Sequence, residues 1–583
     1  MSASGNNAGA NQPEEPQPHP VLEQLTGVQY CVNSPPPFLE TLILGFQHYV
    51  LSLGSIVLIP SMTVPQMGGS DKEKAKVIQT LLFVSGVNTL FHSLFGTRLP
   101  VVIGGSYAFL IPVTTILRSR RYQMIQQPEE RFAQTMREIQ GTLIVTSCFQ
   151  MIIGFIGLWR NIIRLFSPLS MIPLVLFTGL GFYHLGFPLI AQCVEVGIPE
   201  LLFMIFISQY LPRFIKLKRP ICDRFSVLFS VSIVWIYAGI LTWSGAYHKP
   251  SKDSCRTDRS GLITGAPWIY VPFPFQWGPP TFRAREIFAT VMASFVASAE
   301  STGVYLAAAR YGSATPVPPS VISRGIGWLG IGTLLNGLFG SVTGSAATAE
   351  NAGLLALTKA GSRRVVQISA AFMIFFSFLG KFGAIFAAIP LPIMGAIYCI
   401  CFGYVASVGL GFLQFCNLNN FRTKLVLGFS LFIGLSLPQY FREYHLHSMT
   451  GPVHTHATWF NDIICVIFMS HVTVAAIVAL VLDCSLPHGS DGAHKDNGAY
   501  WWERFMVYNK DLHEPIATIQ SHIEEDNVAY SDIHTSMEHS QGLSTPNFEG
   551  DSTTKKHLGF FKSSAEGKKV SGKSGSFIGK KRQ

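Results

Sequence analysis

The stretch Thr343-Gly-Ser-Ala-Ala-Thr-Ala-Glu-Asn-Ala-Gly-Leu-Leu-Ala-Leu-Thr-Lys359 lies in the most apolar half of the chain and is rich in small residues. It places one carboxylate, Glu350, beside one carboxamide, Asn351. A charged side chain at the centre of a membrane helix costs about 2.5–3.5 kcal/mol on insertion scales. The glycine, serine and threonine residues predict backbone that is not a continuous helix, which membranes tolerate only where it is buried in protein or lines a water-filled cavity. Short, glycine-interrupted segments of this kind are typical of transporter binding sites.

The composition of the 583-residue chain indicates a membrane protein with many spans. Only 13% of its residues are charged, against roughly 25% in soluble domains, and 48% are apolar. The net charge of +10 comes from basic residues in short loops and a lysine-rich end, as expected for cytoplasmic loops. We therefore expect a lipid bilayer and no nucleic acid as a partner.

The ten cysteines are scattered, and most fall inside apolar segments. The spacing Cys399-x-Cys401 is not typical of a metal site, so we interpret these side chains as small buried hydrophobes and expect no metal. Cys255 lies in a predicted external loop, where it can pair only with another external thiol.

Apolar segments of bilayer-crossing length predict an all-α polytopic membrane protein with about fourteen transmembrane segments. The third and tenth are short and interrupted by glycine. The segments are residues 38–59, 77–95, 101–116, 139–159, 166–186, 199–214, 224–245, 286–307, 326–341, 347–358, 365–388, 392–412, 422–439 and 460–483. They divide the chain into a cytoplasmic N-terminal tail (1–37), a first repeat (38–245), an external loop (246–285), a second repeat (286–484) and a disordered cytoplasmic tail (485–583).

Two parts of the chain align with each other without a gap. Thr89-Leu-Phe-His-Ser-Leu-Phe-Gly-Thr97 precedes the third segment, and Thr333-Leu-Leu-Asn-Gly-Leu-Phe-Gly-Ser341 precedes the tenth. The same alignment places Ser106 opposite Glu350. Because each half has an odd number of segments, the halves form an inverted repeat, and inverted repeats with broken helices place the binding site near the middle of the membrane.

The basic residues favour a cytoplasmic N-terminus. Those on the predicted cytoplasmic side are Arg160, Arg164, Arg213, Lys216, Lys218, Arg219, Arg363, Arg364, Arg422 and Lys424. The exceptions are Arg118, Arg120 and Arg121, which fall on the predicted external side of the membrane. The nearby acids expected to pair with them are Glu129, Glu130 and Glu138.

Four motifs, in order, resemble those of the nucleobase–ascorbate transporter family. The sequence Glu350-Asn351-x-Gly353-x4-Thr358-Lys359 is similar to the family signature, in which an acid, amide or proline precedes Asn-x-Gly-x4-Thr and a basic residue or glycine. The other three motifs are Gln47-His48, Gly104-Gly-Ser-Tyr-Ala-Phe109 and Ala299-Glu-Ser-Thr-Gly303. The resemblance runs from about Glu23 to Cys484 and does not include the C-terminal tail.

The resemblance implies seven plus seven spans. Spans 1–4 and 8–11 form a core domain, and spans 5–7 and 12–14 form a gate domain. It also implies a homodimer built through the gate domains. Loop features and the length of the tail resemble plant members, which suggests the plasma membrane, with both termini cytoplasmic.

Two acids are candidates for substrate binding. Glu300 is the only charge near the centre of its segment, and an acid inside a membrane is a functional candidate by default. A carboxylate accepts two N–H bonds, each roughly twice as strong as a neutral pair. Xanthine and uracil present such N–H groups. In the family the acid matching Glu300 binds the substrate, and Glu350 is then the second acceptor.

Asn351 has two interpretations that the sequence leaves open. Its carboxamide can bind a purine edge, or it can satisfy the broken backbone of the tenth segment. Gly353 allows close approach of the backbone, and we group it with the substrate-binding residues. Thr358 and Lys359 end the half-helix, where the charge of Lys359 suits the negative helix end.

The third segment is expected to provide the facing half-helix. The position of Tyr107 in the family motif favours stacking of its ring on the base, whereas chemistry alone favours core packing. Ser106 is grouped with it as a substrate-binding residue and Ala108 as a supporting one. Ala349 is expected to supply a main-chain amide to the substrate.

Gln47 and His48 lie in the first segment. A lone histidine within a membrane is more often a hydrogen-bonded structural residue than a ligand or a proton carrier. The resemblance implies that this pair supports the site and its folding.

These features predict a secondary active transporter and not an enzyme, with no catalytic residues. The chain has no Walker loop, and Gly325-Ile-Gly-Trp-Leu-Gly330 lies in an apolar segment rather than after a strand, as a dinucleotide fingerprint requires. We expect proton-coupled symport of a nucleobase (xanthine, uric acid, uracil, adenine or guanine) by an elevator-type movement, without a cofactor and with Glu300 or Glu350 as the proton-sensitive site. The alternatives are ascorbate as the substrate, or a channel or sensor that keeps the fold without pumping.

Overall fold

A computed structural model describes residues 25, 27–214, 224–247, 254–258, 262–314, 317–448 and 450–487. Residues 1–24 and 488–583, on which the two predicted tails mainly fall, lie outside the described residues. The described helices are α1 (Phe38–Met67), α2 (Asp71–Leu94), α3 (Leu110–Leu117), α4 (Arg120–Gln123), α5 (Pro128–Phe155), α6 (Leu158–Arg164), α7 (Pro168–Leu180), α8 (Phe187–Ile190), α9 (Val194–Ile205), α10 (Leu211–Phe214), α11 (Ser226–Trp243), α12 (Leu262–Gly265), α13 (Ala284–Tyr311), α14 (Pro319–Phe339), α15 (Ala349–Thr358), α16 (Arg363–Phe378), α17 (Gly380–Ala387), α18 (Leu391–Gly411), α19 (Phe421–Ser448), α20 (Thr458–Phe468) and α21 (His471–Ser485). The strands are β1 (Ile103–Gly105) and β2 (Ser345–Ala347).

Within the described part of the chain, eight helices are long and apolar enough to cross a membrane. A ninth crossing is added if α20 and α21, which meet at 86°, are counted as one bent span. The prediction of a helical membrane protein with many spans is confirmed. The count of fourteen spans stays a prediction.

Helix boundaries follow local sequence signals. Gly68, with φ of 89°, ends α1 in the left-handed conformation that glycine adopts without strain. Ser70 then caps α2, and its N–H donates to the Glu73 carboxylate at 2.6 Å, which completes a capping box. The connection between the first two long helices is therefore short and tightly defined.

The third and tenth predicted segments each consist of a strand followed by short helical structure. β1 and β2 pair antiparallel, and the pairing continues past their ends. The N–H of Ser106 donates to the carbonyl of Gly344 at 3.0 Å, and the N–H of Thr348 donates to that of Val102 at 3.0 Å. These bonds satisfy backbone groups that leave the helical conformation, as membrane depth requires. One short helix leaves each end of the strand pair.

Two threonines that the internal alignment equates have similar contacts, each with the first residue of a strand, although the alignment equates Ile103 with Ala347 and not with Ser345. Thr89 Oγ1 accepts the N–H of Ile103 at 3.0 Å, and Thr333 Oγ1 accepts the N–H of Ser345 at 3.2 Å. Each threonine thus supports one of the two strands from the helix that precedes it.

Two glycines that the alignment equates also mark equivalent helix contacts. A Cβ on Gly86 of α2 would lie 2.9 Å from the carbonyl oxygen of Ala370 in α16, and one on Gly330 of α14 would lie 2.7 Å from the backbone nitrogen of Met151 in α5. α2 packs along α16 as α14 packs along α5. The two equated glycines therefore each mark a close contact between a pair of long helices.

The helices α2, α5, α14 and α16 form a first group. A second group consists of α7, α18, α19 and α21. α7 packs along α18 and α21, and α19 packs along α21. α15 packs against α18 of this group, and α13 packs against α7. The short helix that carries Glu350 and the long helix that carries Glu300 therefore both lie where the two groups of helices meet.

An ion-pair cluster lies at the predicted external ends of the helices. Arg121 pairs with Glu138 and with Glu286, the latter at 2.8 Å. Tyr122 donates to Glu138, and burial, with smaller contributions from that acid, raises the pKa of Tyr122 well above its ordinary value. Of the three arginines predicted to lie on the external side, Arg121 thus pairs with Glu138, one of the acids expected to pair with them.

Cys193 and Cys255 form a disulfide. Cys193 lies between the fifth and sixth predicted segments, in a predicted external loop, and supplies the external thiol that pairing of Cys255 requires. The two residues are 62 positions apart, and no spacing in the sequence connects them. The bond ties the loop after α11 to the start of α9, which agrees with an oxidising, external environment for that loop.

Candidate substrate site

Glu350 lies in the first turn of α15, directly after the strand pair. Only 4% of its surface is exposed, and its Oε1 has no hydrogen-bond partner among the described residues. Ser55 of α1 and Tyr107 both lie near this carboxylate. The positive end of the helix dipole favours a carboxylate at this place.

Two phenol groups present further buried polar atoms. The hydroxyls of Tyr107 and Tyr398 make no hydrogen bond within the described part of the chain. Tyr398 comes from α18 and lies near Glu350, and its hydroxyl would collide with a Cβ at Gly54 of α1. The ring of Tyr107 lies 5.8 Å from that of Phe182. Other buried polar atoms without partners occur among the described residues, for example at Tyr305. Here a carboxylate and two phenols lie together, and this grouping indicates a place for a polar ligand.

Asn351 uses its carboxamide inside the protein. Its Oδ1 lies 2.9 Å from Nδ1 of His48. Its Nδ2 donates to Ser52 Oγ at 2.9 Å and to Thr348 Oγ1 at 3.0 Å, so both amide hydrogens are used. Of the two interpretations that the sequence leaves open, this geometry favours support of the broken segment. Contact between Asn351 and a substrate stays a prediction.

Gln47 and His48 connect α1 to two other elements. Both side chains are buried. His48 holds Asn351, and Gln47 Nε2 donates to the backbone carbonyl of Arg224 at 2.7 Å, just before α11. The pair therefore links the half-helix with Glu350 to the predicted cytoplasmic end of α11.

Ser106 and Ala349 lie at the starts of the two short helices. Ser106 Oγ accepts the N–H of Ala108 at 3.3 Å, and the Ser106 carbonyl accepts the hydroxyl of Thr343 at 2.7 Å. Ala349 is the first residue of α15 and is buried. These contacts fix the backbone beside Tyr107 and Glu350, while direct contact with a substrate stays a prediction.

Gly353 lies against the second group of helices. A Cβ at this position would stand 2.5 Å from the α-carbon of Cys401 in α18. The glycine therefore permits the approach of α15 to α18, and its predicted contact with a substrate is not tested. Thr358 Oγ1 donates to the carbonyl of Leu354 at 2.8 Å, and Lys359 ends α15 with φ of 54°.

Glu300 is reached by the bent last span. Ser470 lies at the break between α20 and α21, and its hydroxyl donates to Glu300 Oε1 at 3.4 Å. The neighbouring Ser301 accepts the N–H of Ala347 at 3.1 Å. The helix with Glu300 is thus tied to the strand that precedes Glu350.

Comparison with known proteins identifies the family of the chain. The family model described as the permease family matches residues 39–443. Nucleobase-ascorbate transporter 4 of Arabidopsis thaliana is 58% identical over 497 residues, which cover 85% of this chain and 94% of the relative. The chain belongs to the nucleobase-ascorbate transporter family. Nucleobase-ascorbate transporter 7 of Arabidopsis thaliana (57% identical; 85% of this chain and 93% of the relative) and nucleobase-ascorbate transporter LPE1 of Zea mays (51%; 85% and 94%) are similar over comparable lengths.

The relatives are named as transporters. This confirms the prediction that the chain is a transporter and not an enzyme. Among solved structures, the transmembrane domain of the cyanobacterium bicarbonate transporter BicA matches 76% of this chain and 96% of its own with 13% identity and a TM-score of 0.38. SLC26A9 matches 76% of this chain and 65% of its own with 12% identity and a TM-score of 0.40.

Three residues that lie at the candidate site were not predicted from the sequence. Tyr398 and Ser55 lie in apolar helices without any motif that distinguishes them from packing residues. Ser470 had a weak signal, because Ser470-His471 interrupts an otherwise apolar span. All three lie near Glu300 or Glu350 only because of the way the helices pack together.

A cavity of about 280 Å³ lies on the predicted external side of the site and is lined by none of the candidate site residues themselves. Its walls include Gly54 and Ser61 of α1, Arg256 of the disulfide-tethered loop and Met394 of α18. Gly54 also contacts Tyr398. The cavity therefore leads from the predicted external side toward the phenol next to Glu350.

Proposed function

We propose that the chain is a secondary active transporter that carries a nucleobase together with protons across the plasma membrane. The observation that carries the proposal is the group of buried polar atoms without partners, namely Glu350 Oε1 and the hydroxyls of Tyr107 and Tyr398. A xanthine or uracil ring offers N–H donors to the carboxylate and carbonyl acceptors to the phenols. Hydrogen bonds to an ionised acceptor are the strong ones.

Glu300 is the second carboxylate of the proposed site. It lies on α13. The residue after it, Ser301, is hydrogen-bonded to the strand before Glu350. Because a charged carboxyl at membrane depth is costly, we propose that a proton accompanies the substrate and binds at Glu300 or Glu350. No further cofactor is required.

The similar contacts of Thr89 and Thr333, and of Gly86 and Gly330, support an inverted repeat of seven plus seven spans. The helices that carry these contacts form the core in this proposal, and α7, α18, α19 and α21 belong to the gate. The core moves against the gate, so that the site opens to each side in turn. A homodimer through the gate, with both termini in the cytoplasm, completes the proposal.

The choice of a nucleobase over ascorbate rests on charge. Ascorbate is a monoanion at neutral pH, and two carboxylates at one site disfavour an anion, whereas a neutral base donates N–H bonds to them. The family names include both substrates. We expect saturable uptake of radiolabelled xanthine or uracil in a transporter-deficient yeast strain, with no competition from ascorbate. Saturable ascorbate uptake that no base blocks would reverse the choice.

Two further measurements complete the test. Glu350→Pro is expected to abolish base uptake without creating ascorbate uptake, because Glu300 remains in the site. A proton uncoupler is expected to stop accumulation of the base. Accumulation that never exceeds the external concentration, with or without the uncoupler, would identify a channel.

A further inference from the structure

A short segment before α1 crosses the predicted cytoplasmic ends of both helices with an acid at the site. This N-terminal strap consists of residues 29–32. The N–H of Gln29 donates to the carbonyl of Lys359 at 3.0 Å, and the carbonyl of Tyr30 accepts the N–H of Gly361 at 2.8 Å. Both bonds lie at the end of α15, the half-helix that carries Glu350.

The strap then reaches the end of α13, the helix that carries Glu300. The N–H of Val32 donates to the carbonyl of Gly312 at 3.1 Å, directly after α13, and the carbonyl of Val32 accepts the N–H of Arg363 at 3.1 Å. The ends of the two acid-bearing helices are thereby joined through one stretch of backbone.

Arg224 fastens this strap to α11. Its guanidinium pairs with the Glu40 carboxylate, donates to the side chain of Gln29, and lies 4.9 Å from the centre of the Tyr30 ring. The Tyr30 hydroxyl donates to Glu40 at 3.2 Å, and the backbone carbonyl of Arg224 accepts the amide of Gln47. Only 13% of the Arg224 side chain and 17% of the Glu40 side chain are exposed. The ion pair is therefore shielded from most of the screening that weakens surface pairs.

We propose that Arg224 is a positioning residue for transport, which holds α11 to the N-terminal strap and to α1 in one of the two arrangements of core and gate. The inference rests on the proposed function. α11 packs against α9 and α18, whereas the strap is bonded to the ends of α13 and α15. Movement of the core against the gate must therefore break the contacts of Arg224, and their strength sets the population of the arrangement that retains them.

The test measures this population directly. Ser61 lines the cavity on the predicted external side, so Ser61→Cys reports its accessibility to a membrane-impermeant maleimide on intact cells. Removing a charge-assisted hydrogen bond shifts an equilibrium by about tenfold. We expect Arg224→Gln and Glu40→Gln each to slow labelling of Ser61→Cys by about five- to tenfold and to change the KM of base uptake. The amount of protein at the surface is measured separately.

Two controls separate positioning from support of the fold. The charge swap Arg224→Glu with Glu40→Arg is expected to restore the labelling rate and KM. Arg213→Gln changes an exposed arginine in α10. It is expected to leave the labelling rate and KM unchanged.

Unchanged labelling and KM per molecule in Arg224→Gln, with only less protein at the surface, would overturn the proposal. If Arg224→Gln does not reach the surface, Glu40→Gln is judged by the same criterion, because it removes the same ion pair. A charge swap that behaves like the single variants also overturns the proposal. If the unaltered protein takes up no base, the proposed function fails, while the labelling rates still decide the role of Arg224.

Discussion

Replacing Asn351 by alanine separates the two interpretations of this residue. The carboxamide makes three hydrogen bonds, to His48, Ser52 and Thr348, at 2.9–3.0 Å. All three partners are buried. A residue that holds broken backbone together is expected to affect stability first, whereas a residue that binds a base is expected to affect KM first.

The magnitude follows from the contacts that are lost. A typical hydrogen bond contributes about 0.5–1.5 kcal/mol, and a buried donor left without a partner adds to the cost. Asn351→Ala removes three such bonds and leaves Nδ1 of His48 buried without an acceptor. We therefore expect the free energy of unfolding to fall by about 2–4 kcal/mol. Asn351→Asp is expected to be no better, because the hydroxyls of Ser52 and Thr348 already donate to backbone carbonyls.

The assay compares melting temperature in detergent with uptake kinetics in cells. Asn351→Ala is expected to melt well below the unaltered protein and to show a lower maximal rate with little change in KM. Asn161→Ala, which changes an exposed asparagine in α6, is the matched control and is expected to melt normally. An Asn351→Ala protein that melts like the unaltered one, but binds the base at least tenfold more weakly, would refute this reasoning and place the amide on the substrate.

Three other predictions follow from the same site. Glu300→Gln is expected to reach the membrane and to lose high-affinity uptake, because a neutral donor–acceptor replaces a charged double acceptor; unchanged uptake kinetics would remove Glu300 from the site. Gly353→Ala is expected to lower the melting temperature through a clash with Cys401 that costs about 1–3 kcal/mol, whereas Gly403→Ala on α18 has open space around it; equal melting of the two variants would contradict the packing. Tyr107→Cys is expected to be shielded from thiol reagents by a transported base, and labelling that no base slows would exclude the ring from the site.

Residues of the broken segments could be predicted from the sequence because their chemistry is unusual for a membrane. An acid and an amide among glycine and threonine residues predicted interrupted structure at Glu350 and Asn351, and the structure places both at the start of a short helix. The internal alignment equated Thr89 with Thr333, and each of them accepts the N–H of the first residue of a strand. Local sequence carries this information because the polar groups must be satisfied within the same segment and its repeat.

Other contacts could not be predicted, because they depend on distant parts of the chain. Tyr398 reaches Glu350 only through the packing of α18 on α15, and Cys193 meets Cys255 only through the path of the loop. Composition assigned Tyr30 to a tail. Its carbonyl nevertheless accepts the N–H of Gly361, and a backbone hydrogen bond of this kind leaves no pattern in the composition.

The strand pair imposes an order on the biosynthesis of the protein. Each strand needs the other to satisfy part of its backbone, yet Ala347 is made about 240 residues after its partner Ile103. At roughly 5–20 residues per second, the first strand waits roughly 12–50 s for the second. During that time its unpaired amides have no place in lipid. We therefore expect the first strand to stay out of contact with lipid until the second strand is made, and a chain that stops before the second strand to be degraded.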